Sequence, residues 1–578
     1  MRRFGWAAVL GIVALALVVT PPGPASADPL TVPSRTSALQ AAQRAIDHFY
    51  ANDGGATSDA GWRWAPFFMA VDELHRQTGE ARYAQWLTSW GDRNAWTGDA
   101  PASATSNPDS RAAIQVFHDV AARGLPADMT PSDRLMAADL ALPTDTYWWI
   151  DAMFMGLPLW PRWAARTGDP AYAAKHTELY EFLKYRGATR YRSGCTDTGL
   201  FDPTENLWWR DCKFVPVRDA QGRKEFWGRG NGWVLGAMAR TLMVLPASDP
   251  QAAEYRSMMQ RMAARLVPLQ GTDGMWRSDL LNPSRYPAPE TSATALFTYA
   301  MAWGIRSGVL DAPTYLPVVL RAWQGLTTVS LTGSGFLSNC QLVGDQPGAP
   351  STTASIGYCV GAFGLAGTAV AALEPWFVAD GFARTATNGL GEAPVGGAWS
   401  TGGGSVDFSV EGATARVRTA AGHTRTAVLD VSTQDADMRV TYGAPRPTSG
   451  SVYLGLVGRR VGEATYTGRA VVSSAGTVQA QVHRSGTSLR SITVSGLTLT
   501  TGERLRLRLQ TVGTSPTTVR LKVWKAGTTE PTAWQVAVTD GTPGLQAAGA
   551  VGFMTYLGGS ATPSPVLVTV DDLSVRRS

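Results

Sequence analysis

Histidine is scarce in this chain, with six in 578 residues, at positions 48, 75, 118, 176, 423 and 483. No two have metal-ligand spacing, and none lies between 190 and 240, where tryptophan is dense. That excludes a histidine-built metal centre and leaves carboxylates as the better proton carriers. Net charge is also small. The formal value is +5, and it becomes +3 without Arg2 and Arg3, which gives no case for nucleic-acid binding. Cysteine is limited to Cys195, Cys212, Cys340 and Cys359. None has zinc-site spacing. In an exported chain an even count suggests disulfides, and closeness in sequence favours Cys195 with Cys212 and Cys340 with Cys359. The alternative is four buried thiols.

The candidate exported segment is residues 1–27. Arg2 and Arg3 precede an apolar run from Trp6 to Val19, and Ala25-Ser26-Ala27 fits a small-residue cleavage site. This pattern predicts a secretory signal, a secreted mature protein and no membrane span.

Tryptophan is plentiful but uneven. Seventeen fall between Asp28 and Trp376, and three follow. Two domains are expected, 28–376 and 377–578. In the first, apolar residues recur at three and four, as in Leu39-Ala42-Ile46-Phe49-Tyr50 and Val234-Leu235-Met238-Leu242. About eleven or twelve helical segments result. Two phrases, Gln77-Thr78-Gly79-Glu80-Ala81-Arg82-Tyr83 and Arg166-Thr167-Gly168-Asp169-Pro170-Ala171-Tyr172, each end one helix on glycine and begin another. Repeated helical hairpins closing into a ring predict an α/α barrel, with its connecting loops forming a cleft. Beyond Pro375 short alternating runs, such as Leu505-Arg506-Leu507-Arg508-Leu509, predict an antiparallel sandwich.

The densest motif is Trp227-Gly228-Arg229-Gly230-Asn231-Gly232-Trp233. Alternate glycines allow tight bends and close approach of a ligand. Tryptophan faces suit sugar rings, and the arginine fork matches a carboxylate. The motif thus suggests a site for an acidic sugar. The plainer alternative is a glycine-rich loop capped by Asn231, with both tryptophans buried. Asp151 opens the apolar segment Asp151-Ala152-Met153-Phe154-Met155. Desolvation there would keep it protonated as a general acid, unless it only caps buried backbone. Asp109 precedes a helix and is either a site acid or a dipole-stabilised N-terminal acid. Glu290 in Pro289-Glu290-Thr291-Ser292 reads as structural. Trp208-Trp209-Arg210-Asp211 either lines the cleft or forms a buried turn held by Cys212.

Taken together, the 227–233 run and Asp151-Ala152-Met153-Phe154-Met155 resemble the unsaturated glucuronyl and rhamnogalacturonyl hydrolases, glycoside hydrolase families 105 and 88. The likeness covers about residues 36–374. It implies an (α/α)6 barrel without metal or organic cofactor. The substrate it implies is an acidic oligosaccharide ending in a 4,5-unsaturated uronic acid, as polysaccharide lyases leave behind. Asp151 matches the family acid that protonates C4 before water adds at C5. Asp109 matches a second family aspartate, although Ser110 replaces a neighbouring acid. Trp227, Arg229, Asn231, Trp233, Trp208, Trp209 and Arg210 are the expected substrate contacts. Rhamnogalacturonyl members usually carry a histidine in the loop occupied here by Thr204 to Asp211, and this chain has none. That departure leaves other unsaturated uronides open, such as those from ulvan, arabinogalactan or glucuronan-type chains. The second domain resembles a concanavalin- or laminin-G-like jelly roll, a class in which many members bind sugars and others only shield or space a catalytic domain. Two other readings compete: a conventional two-carboxylate glycosidase on an α/α barrel, and a non-catalytic polysaccharide-binding protein.

Overall fold

In the computed structural model, residues 29–99, 107–186 and 199–578 are described. The candidate signal segment and Cys195 lie outside them.

Thirteen α-helices run from Arg35–Asn52 to Gly357–Ala371 among the described residues. Six positions form an inner ring: Ala65–Thr78, Ala112–Ala122, the broken pair Asp151–Met155 and Leu159–Thr167, Gly228–Leu242, Thr291–Ser307 and Gly357–Ala371. Each contacts the next, and the last returns to Ala65–Thr78. Small residues permit this closure. In Gly357–Ala371, a Cβ on Gly361 would lie 2.3 Å from the Pro66 carbonyl carbon, and one on Gly364 would lie 2.7 Å from the Ala70 Cβ. The partners Arg35–Asn52, Ala81–Arg93, Thr130–Asp139, Pro170–Glu181, Pro250–Leu266 and Ala312–Gly325 alternate with these along the chain. The result is the expected (α/α)6 barrel.

The two hairpin phrases do what their chemistry dictates. Gly79, at φ +70°, ends Ala65–Thr78 and returns its N–H to the His75 carbonyl. Gly168, at φ +73°, ends Leu159–Thr167. Asp169 then caps Pro170–Glu181 by accepting from the Ala171 N–H at 2.9 Å. Glycine adopts the left-handed cap without a Cβ clash, and aspartate satisfies an orphan donor of the next helix.

After Ala371 the chain turns to strands. Trp376–Asp380 is the first, and the expected boundary at 376/377 falls inside it. Two antiparallel sheets follow. One orders Val536–Asp540, Thr517–Lys525, Arg504–Val512, Ala436–Gly443, Val566–Arg576, Ala415–Thr419, Phe408–Val410 and Ala386–Thr387, with Trp376–Asp380 also pairing to Val566–Arg576. The other orders Thr487–Thr498, Thr477–Arg484, Ala464–Ser473, Ser451–Val461, Gly549–Leu557, Thr424–Thr433, Gly397–Gly402 and Glu392–Ala393. Alternation sets the inner faces: Leu505, Leu507 and Leu509 are fully buried, as are Leu454 and Leu456 on the facing sheet. Burying one face of each sheet supplies the sandwich core. Helix Ala312–Gly325 packs against Trp376–Asp380 and Val566–Arg576, joining barrel to sandwich.

Cys340 and Cys359 form a disulfide. Cys212 is also disulfide-bonded, but the expected partner Cys195 is not among the described residues. No described helix is long and apolar enough to cross a membrane.

Candidate active site

The helix N-terminal ends of Asp151–Met155 and Gly228–Leu242 meet at one mouth of the barrel, and a pocket of about 300 Å³ opens there. Trp62, Trp149, Trp227 and Trp233 form its aromatic lining, and Asp109, Asp151, Arg210, Arg229 and Asp345 supply the charges. The 149–151 turn is tied to the 208–212 segment by the Ile150 N–H, which donates to the Arg210 carbonyl at 3.0 Å. That bond brings Arg210 beside Asp151, two residues 59 positions apart in the chain.

Asp151 is buried. Its Oδ1 has no hydrogen-bond partner among the described residues. Its Oδ2 lies 3.4 Å from Arg210 Nε, an ion-pair approach rather than a hydrogen bond. Burial pushes its carboxyl above the ordinary range, opposed by Arg210 and Arg229. Asp109 is only half-buried by surface area. Desolvation and the Asp151 charge push it up to about 7, opposed by Arg210. The charge of Asp151 beside Asp109 disfavours ionising both carboxyls together. Asp109 lies in the first turn of the short helix Pro108–Arg111, whose N-cap is Asn107, with its Oδ1 accepting the Ser110 N–H at 3.0 Å. That frees the Asp109 carboxyl to face the pocket.

The two arginines differ. Arg229 is 1% exposed and lies over the rings of Trp227 and Tyr358. Its Nη1 donates to the carbonyls of Gln341 at 2.6 Å and Leu342 at 3.2 Å, and its Nη2 to Gly344 at 3.3 Å. The fork expected to read a substrate carboxylate therefore straps the 341–344 loop to the pocket wall. Arg210 lies over the Trp148 ring, and its Nη1 donates to Asp211 at 2.6 Å. The buried Nε atoms of both arginines have no hydrogen-bond partner among the described residues, so the difference between them lies in their Nη atoms.

The same loop is fastened elsewhere. Trp227 Nε1 donates to Gln341 Oε1 at 2.8 Å, and Tyr358 OH donates to the Gln341 carbonyl at 2.8 Å. Glu290 caps Thr291–Ser307 through the Ser292 and Ala293 N–H groups and also accepts the Gln341 N–H. It is structural, as read from the sequence. The Cys340–Cys359 disulfide closes the base of the loop.

Several expected contacts lie elsewhere. Asn231 is fully buried below the pocket. Its side chain clamps Trp208 by accepting the Trp208 N–H and donating to the Trp208 and Trp227 carbonyls. Trp208 packs against Phe201 and Tyr180, and Trp209 stacks on Phe226; neither lines the pocket. The 208–211 phrase is thus a buried turn that delivers one residue, Arg210, to the cleft. The glycines of the 227–233 run face protein rather than ligand. A Cβ on Gly228 would stand 2.6 Å from the Arg277 carbonyl oxygen, and one on Gly232 would stand 3.0 Å from Leu296. The run begins the helix Gly228–Leu242 rather than preceding it as a loop. Trp62, Trp149 and Asp345 were not singled out from sequence. Trp149 lay in view beside Asp151, but Trp62 and Asp345 reach the pocket only through the ring closure.

An aromatic-walled pocket with a buried, partly unpartnered carboxyl and two guanidinium groups suits an anionic sugar. An unsaturated 3S-rhamnoglycuronyl hydrolase of Formosa agariphila is 33% identical over 237 residues, 40% of this chain and 59% of that relative. A glycosyl hydrolase family 88 structure from Bacteroides vulgatus superposes with TM-score 0.52 at 27% identity, over 58% of this chain and 99% of its own. A polysaccharide lyase structure superposes with TM-score 0.51 at 25% identity, over 58% of this chain and 96% of its own. Residues 39–373, which include every residue of the pocket, match Glycosyl Hydrolase Family 88, and the chain belongs to that family.

Proposed function

We propose that the protein removes a 4,5-unsaturated uronic acid from the non-reducing end of acidic oligosaccharides. The observation that carries this reading is Asp151: a buried carboxyl with an oxygen unpartnered among the described residues, its hold on a proton strengthened by desolvation, in a tryptophan-walled pocket. The Formosa agariphila relative acts on an end group of this class. Asp151 donates its proton to C4 of the enol ether, and positive charge develops at C5. Water adds at C5 and returns a proton to the Asp151 carboxylate, so one water has been added across the double bond. The hemiketal then opens by breaking the C5–O5 bond. The freed C1 hemiacetal expels the remaining sugar chain as an alcohol, leaving an aldehyde. No step displaces a group at C1 by a carboxylate nucleophile, unlike a conventional glycosidase.

Arg210 is the carboxylate reader in this scheme, because among the described residues only its Nη1 is engaged, by Asp211, while both Nη atoms of Arg229 are committed to the loop carbonyls. Asp109 is the second acid of the pocket, its carboxyl pushed up to about 7 by desolvation and the Asp151 charge, and Trp62, Trp149, Trp227 and Trp233 hold the ring. We assign the catalytic unit to 28–376, the accessory unit to 377–578 and a secretory signal to 1–27. The Cys340–Cys359 disulfide supports an oxidising compartment.

The test is ultraviolet absorbance of the conjugated enol during incubation with lyase-generated oligosaccharides from several acidic polysaccharides. A hydrolase of this kind bleaches the signal on at least one of them. A lyase, the activity named for one structural neighbour, raises absorbance on the parent polymers instead, and that result would overturn the assignment.

A further inference from the structure

The two sheets of the sandwich differ in where their carboxylates stand. On the sheet containing Arg504–Val512 the cations are neutralised in place. Arg508 pairs with Asp437 at 2.6 Å and Glu530 at 2.7 Å, Lys522 pairs with Glu530, and Arg504 pairs with Asp571. On the other sheet the five adjoining strands Thr487–Thr498, Thr477–Arg484, Ala464–Ser473, Ser451–Val461 and Gly549–Leu557 contain no aspartate or glutamate. Arg460 and Arg484 of that sheet also meet acids, Glu463 and Asp540, but these lie outside its strands.

Register places a patch on the outer face of those strands. Tyr453 stands opposite Tyr556 on one side and Val471 on the other, and Val471 stands opposite Gln479. In the next row Arg469 stands opposite Gln481 on one side and Gly455 on the other. Tyr453 and Tyr556 rings are 5.1 Å apart, and the Arg469 guanidinium lies 4.9 Å from the Tyr453 ring centre. Arg469 Nε donates to Gln481 Oε1 at 3.0 Å, and Gln481 Nε2 donates to Gln479 Oε1 at 3.0 Å. Arg469 meets no carboxylate among the described residues; the polar groups around it include the two tyrosines, Gln481 and His483. Gly455 keeps the patch open, since a Cβ there would meet Met554 Sδ at 2.9 Å and Arg469 Cβ at 3.0 Å. All three of Tyr453, Tyr556 and Arg469 remain partly exposed.

From this patch we infer a second carbohydrate site, remote from the barrel pocket, that binds an acidic polysaccharide strand. Each component has a matching task. The tyrosine pair offers apolar faces to sugar C–H groups. The oriented Gln481–Gln479 row meets hydroxyls. Arg469, preorganised on Tyr453 and free of any acid, receives a carboxylate or sulfate. The absence of acidic residues from five neighbouring strands removes the repulsion that a polyanion would meet on the opposite sheet. The site would hold polymer near the enzyme while the barrel works on chain ends.

The test is native affinity electrophoresis of the full chain in gels containing polyglucuronate or its carboxyl-reduced neutral counterpart. Polyglucuronate should retard the wild type more than the reduced polymer does. Arg469→Gln should weaken polyglucuronate binding about tenfold or more, the scale of a lost charge-assisted hydrogen bond. Tyr453→Ala with Tyr556→Ala should weaken binding to both polymers. Thermal melting matched to wild type, and unchanged turnover of short unsaturated oligosaccharides, would establish that these variants are folded. If the chain binds neither polymer, or if folded Arg469→Gln and the double tyrosine variant bind like wild type, the inference fails. It also fails if Arg210→Ala abolishes retardation, since the barrel pocket would then be the binding site.

Discussion

Arg210 and Arg229 carry the same charge into one pocket but have different tasks, and conservative substitution separates them. Arg229→Lys keeps a cation near Asp151 but cannot bond three carbonyls of the 341–344 loop from one rigid fork. It should lower the melting temperature, with a smaller effect on KM. Arg210→Lys keeps a cation near Asp151 but loses the planar guanidinium fork, so it should raise KM by roughly 10-fold or more while melting changes little. Parallel melting and steady-state kinetics check this, and the reverse pattern would return the carboxylate to Arg229. Sequence pointed to both arginines because both stand among tryptophans. It could not assign their tasks, because the acceptors of Arg229 lie more than 110 residues away, in a loop without any motif.

At the scale of elements, local chemistry was legible and long-range placement was not. The hairpin phrases around Gly79 and Gly168 were readable because a glycine cap and, after Gly168, the Asp169 N-cap act within a few residues. The glycines of the 227–233 run were readable as a motif, but their partners were not. They look like a ligand-approach loop until the neighbouring helix Thr291–Ser307 and the 275–279 segment are seen against them. Gly228→Ala would push a methyl group toward the Arg277 carbonyl, and overpacking of this kind costs about 1–3 kcal/mol. Thermal melting should fall accordingly. Gly333→Ala, where the added Cβ meets nothing within 4 Å, should leave it unchanged. Asp151 was legible for a different reason: an acid opening so apolar a helix stands out in sequence, and its burial and raised carboxyl follow directly.

The whole molecule is a barrel with its pocket at one mouth and a sandwich braced on helix Ala312–Gly325. Tryptophan density and the change of periodicity made both architectures readable, whereas the brace joins residues far apart in sequence. All pocket residues lie between Trp62 and Asp345. A chain of residues 28–376 should therefore keep turnover on short oligosaccharides, and it should melt lower than the full chain because that helix loses its cover. A folded truncation without turnover, beside an active full chain, would contradict the division of labour. The most direct measurement of the central claim is the bleaching rate of an unsaturated oligosaccharide by Asp151→Asn beside wild type. The amide keeps the size of the side chain but carries no acidic proton. With the variant folded and still binding the sugar, the rate should fall by about 10²–10⁴ or more; bleaching near the wild-type rate would mean that the proton comes from another group.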